Sequence, residues 1–257
     1  MKVRLHIRSG RAETRDFASR LVAEFESRGV GVGDEATAAD MVVAVGGDGT
    51  MLSAVATAVD MDVPVLGFNL GTIGFLTAAE PDDIGEVVDR LTSGDYGIDL
   101  RMTVAATIGD RTAIGVNDVV IEKVDSQRLI ELNVRIGSVD FVNYRADGLI
   151  VATPTGSTAY SFSAGGPLVS PALKAFVLTP VAAHSLFSRS IVIEPDQEIV
   201  VSVTRDRAVK VSVDKTDLGQ IGPGDTVIIR QGARPAQFVT LDPLSFPGQV
   251  KNKFSLP

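Results

Sequence analysis

The sequence contains no cysteine and only two histidines in 257 residues. Without cysteine there is no thiolate nucleophile, no cysteine-ligated zinc or iron–sulfur cluster and no disulfide, which fits a reducing, cytoplasmic setting. His6 alternates with Leu5 and Ile7 in a strand-like run, and His184 lies in "AAHSLFS". Neither has a second histidine at metal-ligand spacing, so both read as structural or surface residues and a Ser–His–acid hydrolase is disfavoured. No apolar run approaches the roughly 18 residues of a membrane span. The start, "MKVRLHIRSG", alternates apolar and basic residues where a secretory leader would carry an unbroken apolar core. Positive charge is also short, with 24 Lys and Arg against 32 Asp and Glu, a net charge of -8. Neither nucleic acid nor a membrane surface is an expected partner. An anionic ligand would have to be held locally, by backbone N–H groups, a few arginines or a metal ion.

What is present divides into two patterns. Over the first hundred residues strand-like and helix-like runs alternate. "KVRLHI" reads as a strand, and Phe17, Leu21, Val22 and Phe25 mark one apolar face of a helix over 12–28. "MVVAV" (41–45) is a continuous apolar run, as in a strand buried on both faces of a parallel sheet. "MLSAVATAV" suits a helix, "VPVLGF" a further strand, and "PDDIGEVVDRL" opens with Pro and acids as a helix start does. This order predicts an α/β layer with right-handed crossovers. From about residue 98 the period becomes two: Leu132, Val134 and Ile136, then Ile199, Val201 and Val203, then Val209, Val211 and Val213. The second half is predicted to be mainly β, with a soft boundary near residue 100.

Glycines cluster after the apolar strands. Gly46, Gly47 and Gly49 lie in "AVGGDGTMLS"; Gly67, Gly71 and Gly74 in "GFNLGTIGF"; Gly156, Gly165 and Gly166 form a third group. The ends of parallel strands are where open α/β sheets bind ligands. The stretch at 44–53 has neither Walker A nor G-x-G-x-x-G spacing. It reads either as a strand-to-helix turn capped by Asp48 or Thr50, or as a phosphate cradle at a helix N-terminus. In the second case Asp48 would repel phosphates unless it ligates a bridging Mg²⁺ or accepts a proton from an attacking hydroxyl, and both point to phosphoryl transfer. In "NYRADGLIVATPTGSTAYSFSAGGPLVSP" (143–171) a strand runs into a segment crowded with hydroxyls, able to bind sugar and phosphate or merely to turn. Asn117 and Asp118 head a β run and could grip a ribose or amide, or close a turn.

Together these stretches resemble the NAD kinase family, in motif order: GGDGT at 46–50, "NLGTIGFL" at 69–76, the Asn-acid pair at 117–118 and "DGLIVATPTGSTAYSFSAGGP" at 147–167. The resemblance covers roughly residues 40 to 230. GGDGT alone is shared with diacylglycerol and sphingosine kinases and, in variant form, phosphofructokinases; the long 147–167 stretch is specific. The resemblance implies an N-terminal α/β domain with a parallel sheet (1–98), a C-terminal mainly-β domain (99–232) and a tail (233–257) returning to the first domain, with the site in the cleft between domains. It implies phosphorylation of the 2′-hydroxyl of the adenosine ribose of NAD to give NADP. The donor would be ATP or inorganic polyphosphate, with Mg²⁺ or another divalent metal, in a homodimer or homotetramer.

Carried over by motif, Asp48 would be the proton acceptor, and Gly46, Gly47, Gly49 and Thr50 the donor-phosphate loop. Asp48 and Gly49 would also touch NAD, and Phe75 would face its adenosine. Asn117 and Asp118 would hold the nicotinamide side or bridge NAD; Arg128, Arg145 and Asp147 would line the substrate site; and Thr158, Ala159, Tyr160, Ser161 and Ser163 would form the contact segment. No residue is assigned to the metal. The chain departs from the family at Asp118, where Glu is more usual and the shorter acid reaches about one bond length less, and at "VDKTD" (213–217), where Val-Asp-Gly-Gln is common. The competing readings are a lipid or sugar kinase that shares GGDGT, and a non-catalytic NAD-binding sensor.

Overall fold

The computed structural model describes residues 1–7, 12–33, 38–71, 74–125, 127–205, 207–241 and 245–256. Residues 72 and 73 of the second glycine cluster therefore lie outside the described residues. The chain forms two compact units, Met1–Arg101 with Pro235–Pro257, and Met102–Arg234.

The first unit begins with β1 (Lys2–Ile7), α1 (Ala12–Ser27), β2 (Gly31–Gly33), β3 (Met41–Gly46), α2 (Asp48–Met61), β4 (Val65–Asn69), α3 (Ile84–Ser93) and β5 (Gly97–Arg101). The second unit contains β6 (Val104–Ile108), β7 (Arg111–Gly115), β8 (Asp118–Lys123), β9 (Ile130–Ile136), β10 (Val139–Ala146) and β11 (Gly148–Ala152). It continues with a single turn of helix, α4 (Tyr160–Ser163), then β12 (Phe176–Val181), β13 (Ile191–Ile193), β14 (Ile199–Val203), β15 (Val209–Val213), β16 (Thr216–Ile221) and β17 (Thr226–Gln231). The chain then re-enters the first unit with β18 (Ala236–Thr240) and α5 (Phe246–Lys253).

Among the described residues the first unit has one six-stranded sheet in the order β2-β1-β3-β4-β18-β5. β1 pairs in parallel with β2 and β3, and β3 with β4, as the strand–helix alternation predicts; β5 closes the edge antiparallel to β18. Every residue of β3 is buried, which is why its sequence is a continuous apolar run. Phe17, Leu21 and Phe25 of α1 pack into the same core as Val43, Val45, Leu66 and Phe68. Their spacing places them on one helical face. Pro81–Asp83 forms a turn of 3₁₀ helix that leads into α3, so the acids there precede the α-helix proper.

The second unit contains two antiparallel sheets, β10-β9-β14-β17-β6-β7 and β13-β12-β11-β8-β15-β16, each six-stranded among the described residues. The period-two residues Leu132, Val134, Ile199, Val201, Val203, Val209, Val211 and Val213 all enter one buried cluster, and Ile136 packs against it. Alternation puts these side chains on one face of each strand, and that face is the core. No described helix is long and apolar enough to cross a membrane.

Candidate active site

The first cluster of site residues sits where β3 and β4 end together. Gly46 pairs with Asn69, so the turn into α2 and the segment after β4 leave the sheet side by side. The turn is not capped as the sequence suggested. Gly47 is the N-cap of α2, with no side-chain cap bond, and Asp48 is the first helical residue. Asp48 cannot act as cap because its carboxylate is engaged elsewhere: Oδ2 accepts the Phe75 amide at 3.2 Å and Oδ1 accepts the Leu76 amide at 3.3 Å. Gly74 makes this possible, since a Cβ at that position would lie 2.0 Å from Asp48 Oδ1. The helical ladder opens with the Met51 amide on the Gly47 carbonyl, so the amides of Asp48 and Gly49 precede it. Two free-standing N–H groups, a helix N-terminus and a half-buried carboxylate thus occupy one strand-end site, with Gly46, Gly47, Gly49, Thr50 and Phe75 around it.

In the second unit Asn117 and Asp118 are fixed by a residue that sequence reasoning passed over. Asp214 accepts the amides of Val116, Asn117 and Asp118, at 2.9, 2.9 and 3.0 Å. From the other side the Thr153 amide donates to the Asn117 carbonyl at 2.8 Å, and the Thr153 hydroxyl donates to the Val116 carbonyl. Gly156 packs on the same backbone so closely that a Cβ would lie 2.1 Å from the Asn117 carbonyl oxygen. Asp118 is 5% exposed, and burial, with the negative charge of Asp214 adding to it, pushes its carboxyl up to about 7. Burial also raises Asp214, against the three amides that favour its charged form. The sequence signal for Asp214 lay in "VDKTD", read there only as a departure from the family pattern.

The remaining predicted residues fall into three groups. Asp147 and Tyr160 share a pocket of about 230 Å³ with Glu122, Lys123 and Val124, and Lys123 Nζ bonds Asp147 Oδ1 at 2.5 Å. Arg128 and Arg145 share a pocket of about 280 Å³ with Glu131, Arg205 and Arg207. Glu131 pairs with Arg145 at 3.2 Å and with Arg205 at 2.9 Å. A third concavity, lined by Lys123, Val124, Arg128 and Arg207, shares walls with both. In the hydroxyl-rich segment Thr158 donates to the Thr155 carbonyl at 3.1 Å and Ser163 is exposed. Ser161 is fully buried, paired with Thr179 Oγ1 at 2.9 Å, so its hydroxyl faces inward. Ala159 closes the turn by donating to the Gly156 carbonyl at 2.9 Å. Among the described residues no three His, Cys, Asp or Glu side chains gather as a metal site.

Residues 11–96 match the ATP-NAD kinase N-terminal domain and residues 116–241 the ATP-NAD kinase C-terminal domain. The chain is 40% identical over 222 residues to "NAD kinase" of Symbiobacterium thermophilum, covering 84% of this chain and 78% of that one. It is 35% identical over 263 residues to "NAD kinase 2" of Streptomyces coelicolor, covering 100% of this chain and 87% of that one. The fold matches the crystal structure of yeast NADH kinase complexed with NADH, with a TM-score of 0.88, 23% identity, and 100% of this chain and 88% of that chain covered. It also matches an NAD kinase from Archaeoglobus fulgidus in complex with ATP, with a TM-score of 0.80, 24% identity, and 99% and 98% covered. The matched domains and the relatives over most of the chain define the class as a phosphotransferase, a kinase. The chain belongs to the ATP-NAD kinase family.

Proposed function

We propose that the chain transfers the terminal phosphoryl group of ATP, or of inorganic polyphosphate, to the 2′-hydroxyl of the adenosine ribose of NAD, giving NADP. The observation that carries this reading is Asp48 at the head of α2, beside the glycine turn and held by the Phe75 and Leu76 amides. Two relatives named NAD kinase, at 40% and 35% identity over most of the chain, support it.

Asp48 carries the acid–base step. A ribose hydroxyl is too weak an acid for a carboxylate to ionise in advance, and phosphoryl transfer has a loose transition state in which positioning matters more than nucleophile strength. Asp48 orients the 2′-OH in line with the donor phosphate. As the new O–P bond forms and the donor's bridging O–P bond breaks, the hydroxyl proton passes late to Asp48 and then to solvent. The amides of Asp48 and Gly49, at a helix N-terminus, offset charge on the donor phosphates. Phe75 faces the adenosine. Asn117, Asp118, Asp147, Arg128, Arg145, Thr158, Ala159 and Tyr160 hold the dinucleotide, and Ser161 acts through its backbone because its hydroxyl is committed to Thr179.

A divalent ion such as Mg²⁺ belongs to this reading, but the described residues form no resident cage for it. It would travel with the donor phosphates and water, neutralising their charge when bound. A cytoplasmic homodimer or homotetramer is part of the same proposal.

The test is a coupled assay with NAD, Mg²⁺ and either ATP or polyphosphate, read by an NADP-specific dehydrogenase, with Asp48→Asn in parallel. Wild type is expected to form NADP, and Asp48→Asn to keep NAD binding while kcat falls by roughly 10²–10⁴. Near-normal turnover in that variant removes Asp48 from the mechanism. NAD binding without turnover in wild type would mark a sensor, and no NAD binding a lipid or sugar kinase.

A further inference from the structure

The C-terminal helix touches the segment that holds Asp48. α5 opens on Ser245, whose Oγ accepts the Gly248 amide at 3.4 Å, and it buries none of its residues. An eight-residue helix of this kind is marginal in isolation and persists only where it docks. Its end docks on Phe75. The Phe254 ring centroid lies 6.3 Å from that of Phe75, tilted by 51°, and Lys253 Nζ lies 5.7 Å from the Phe75 ring centroid. Both distances fall within the range of favourable ring–ring and cation–ring contacts.

The ground beneath α5 is open rather than packed. Gln249 and Asn252 line a cavity of about 520 Å³ together with Phe75, Leu76, Ile98 and Phe238. Among the described residues, Lys253 and Phe254 thus bring the end of α5 onto the Phe75 ring at the edge of this cavity. From Phe75 the connection to the acid is one bond long, its own amide on Asp48 Oδ2 at 3.2 Å, with the Leu76 amide beside it on Oδ1 at 3.3 Å.

We propose that Lys253 and Phe254 are positioning residues for Asp48, acting through Phe75. By holding the Phe75 ring they hold residues 74–76 against the Asp48 carboxylate, and so hold that carboxylate where the proton is taken. The inference rests on the role given to Asp48 above. It predicts a defect in turnover rather than in donor binding, because neither residue lies in the glycine turn. A misplaced acid at the reacting centre costs rate in proportion to the misplacement, and shifts of about 1 Å cost up to ~10² in rate.

The experiment compares Phe254→Ala, Phe254→Tyr and Lys253→Met in the full chain by amide hydrogen exchange and steady-state kinetics. Phe254→Ala is expected to speed exchange of the Phe75 and Leu76 amides and to lower kcat by roughly 10-fold or more, with KM for the phosphate donor within about twofold of wild type. Phe254→Tyr, which keeps the ring, is expected to restore both. Lys253→Met is expected to shift both in the same direction but less, and it decides the matter if Phe254→Ala fails to fold. The chain has no tryptophan, so Phe254→Trp adds a single indole whose emission reports docking on Phe75 independently of turnover. Unchanged exchange at 75 and 76, or faster exchange with unchanged kcat, overturns the proposal. Should wild type prove to have no kinase activity, the exchange and fluorescence still report whether the tail holds Phe75, so that failure of the functional reading is distinguishable.

Discussion

Gly74 lies against Asp48 so closely that a single added carbon at position 74 would stand 2.0 Å from the Asp48 carboxylate oxygen Oδ1. The obstruction is a carboxylate rather than the far end of a long flexible side chain, and that carboxylate is already fixed by the Phe75 and Leu76 amides. Gly74→Ala must therefore move the segment, the acid or both. We expect kcat to fall by roughly 10–100-fold, with thermal unfolding close to wild type because Gly74 is only half-buried and lies outside the sheet. Single-turnover kinetics on Gly74→Ala would check this. Normal turnover would show that the Asp48–amide contact is dispensable.

The charge on Asp48 also bears on which dinucleotide the site accepts. If NAD presents its 2′-hydroxyl to Asp48, NADP would present a phosphate to the same carboxylate. Two like charges about 4 Å apart repel by roughly 4 kcal/mol at the effective dielectric of a protein surface, ample for tenfold or greater discrimination. Calorimetry is expected to show NADP binding more weakly than NAD to wild type, and the gap narrowing in Asp48→Asn through tighter NADP binding. A ratio of the two Kd values that does not change between wild type and variant would assign the discrimination to other residues.

Much of this arrangement was legible in the sequence because its signals are local. β3 announced itself as a continuous apolar run since both of its faces are covered, and the period of two in β9, β14 and β15 marked the core face of each strand. Asp48 was legible from its neighbours in the glycine turn. Its partners were not. Phe75 and Leu76 reach it through main-chain N–H groups, 27 and 28 residues away in sequence, and a backbone donor leaves no trace in residue identity. Asp214 was hidden for a related reason: it holds three amides some 96–98 residues upstream, so its role exists only once β8 and β15 are paired. Of the two readings open for the α2 turn, capping by Asp48 or Thr50 does not occur: both are good capping residues by type, but Gly47 takes the cap position and the Asp48 side chain is drawn off to another segment.

Asp214 should prove to be a structural keystone of the Asn117–Asp118 corner. Asp214→Ala leaves three amides without their carboxylate. Hydrogen bonds to charged groups are each worth roughly 1.5–3 kcal/mol, so a loss of about 3 kcal/mol or more is expected in urea denaturation. Asp214→Asn keeps one acceptor oxygen and should lose less. In both variants KM for NAD should rise more than KM for the phosphate donor, because the corner that moves is one assigned to NAD. Equal stability of Asp214→Ala and wild type would mean that water replaces the carboxylate without cost.

The same corner makes stability depend on pH, with a sign set by burial. In the unfolded chain Asp118 ionises at about 4, whereas in the fold burial and the neighbouring Asp214 charge raise it to about 7. Between these values the folded protein keeps a proton that the unfolded chain has released. Unfolding then releases a proton, and stability falls as pH rises through the window. The contribution is fully present below about pH 4 and lost above about pH 7, amounting to roughly 2–4 kcal/mol. His6 works in the opposite sense, since burial and Arg4 lower its pKa and its contribution to stability grows as pH rises through the usual histidine range. The difference between the wild-type and Asp118→Asn profiles cancels His6 and reports Asp118 together with its charge coupling to Asp214. Denaturant unfolding at pH 5.5 and pH 8 is therefore expected to show Asp118→Asn gaining on wild type at the higher pH. A constant difference at both values would mean that Asp118 is already ionised in the fold at pH 5.5, paired with a group that offsets Asp214.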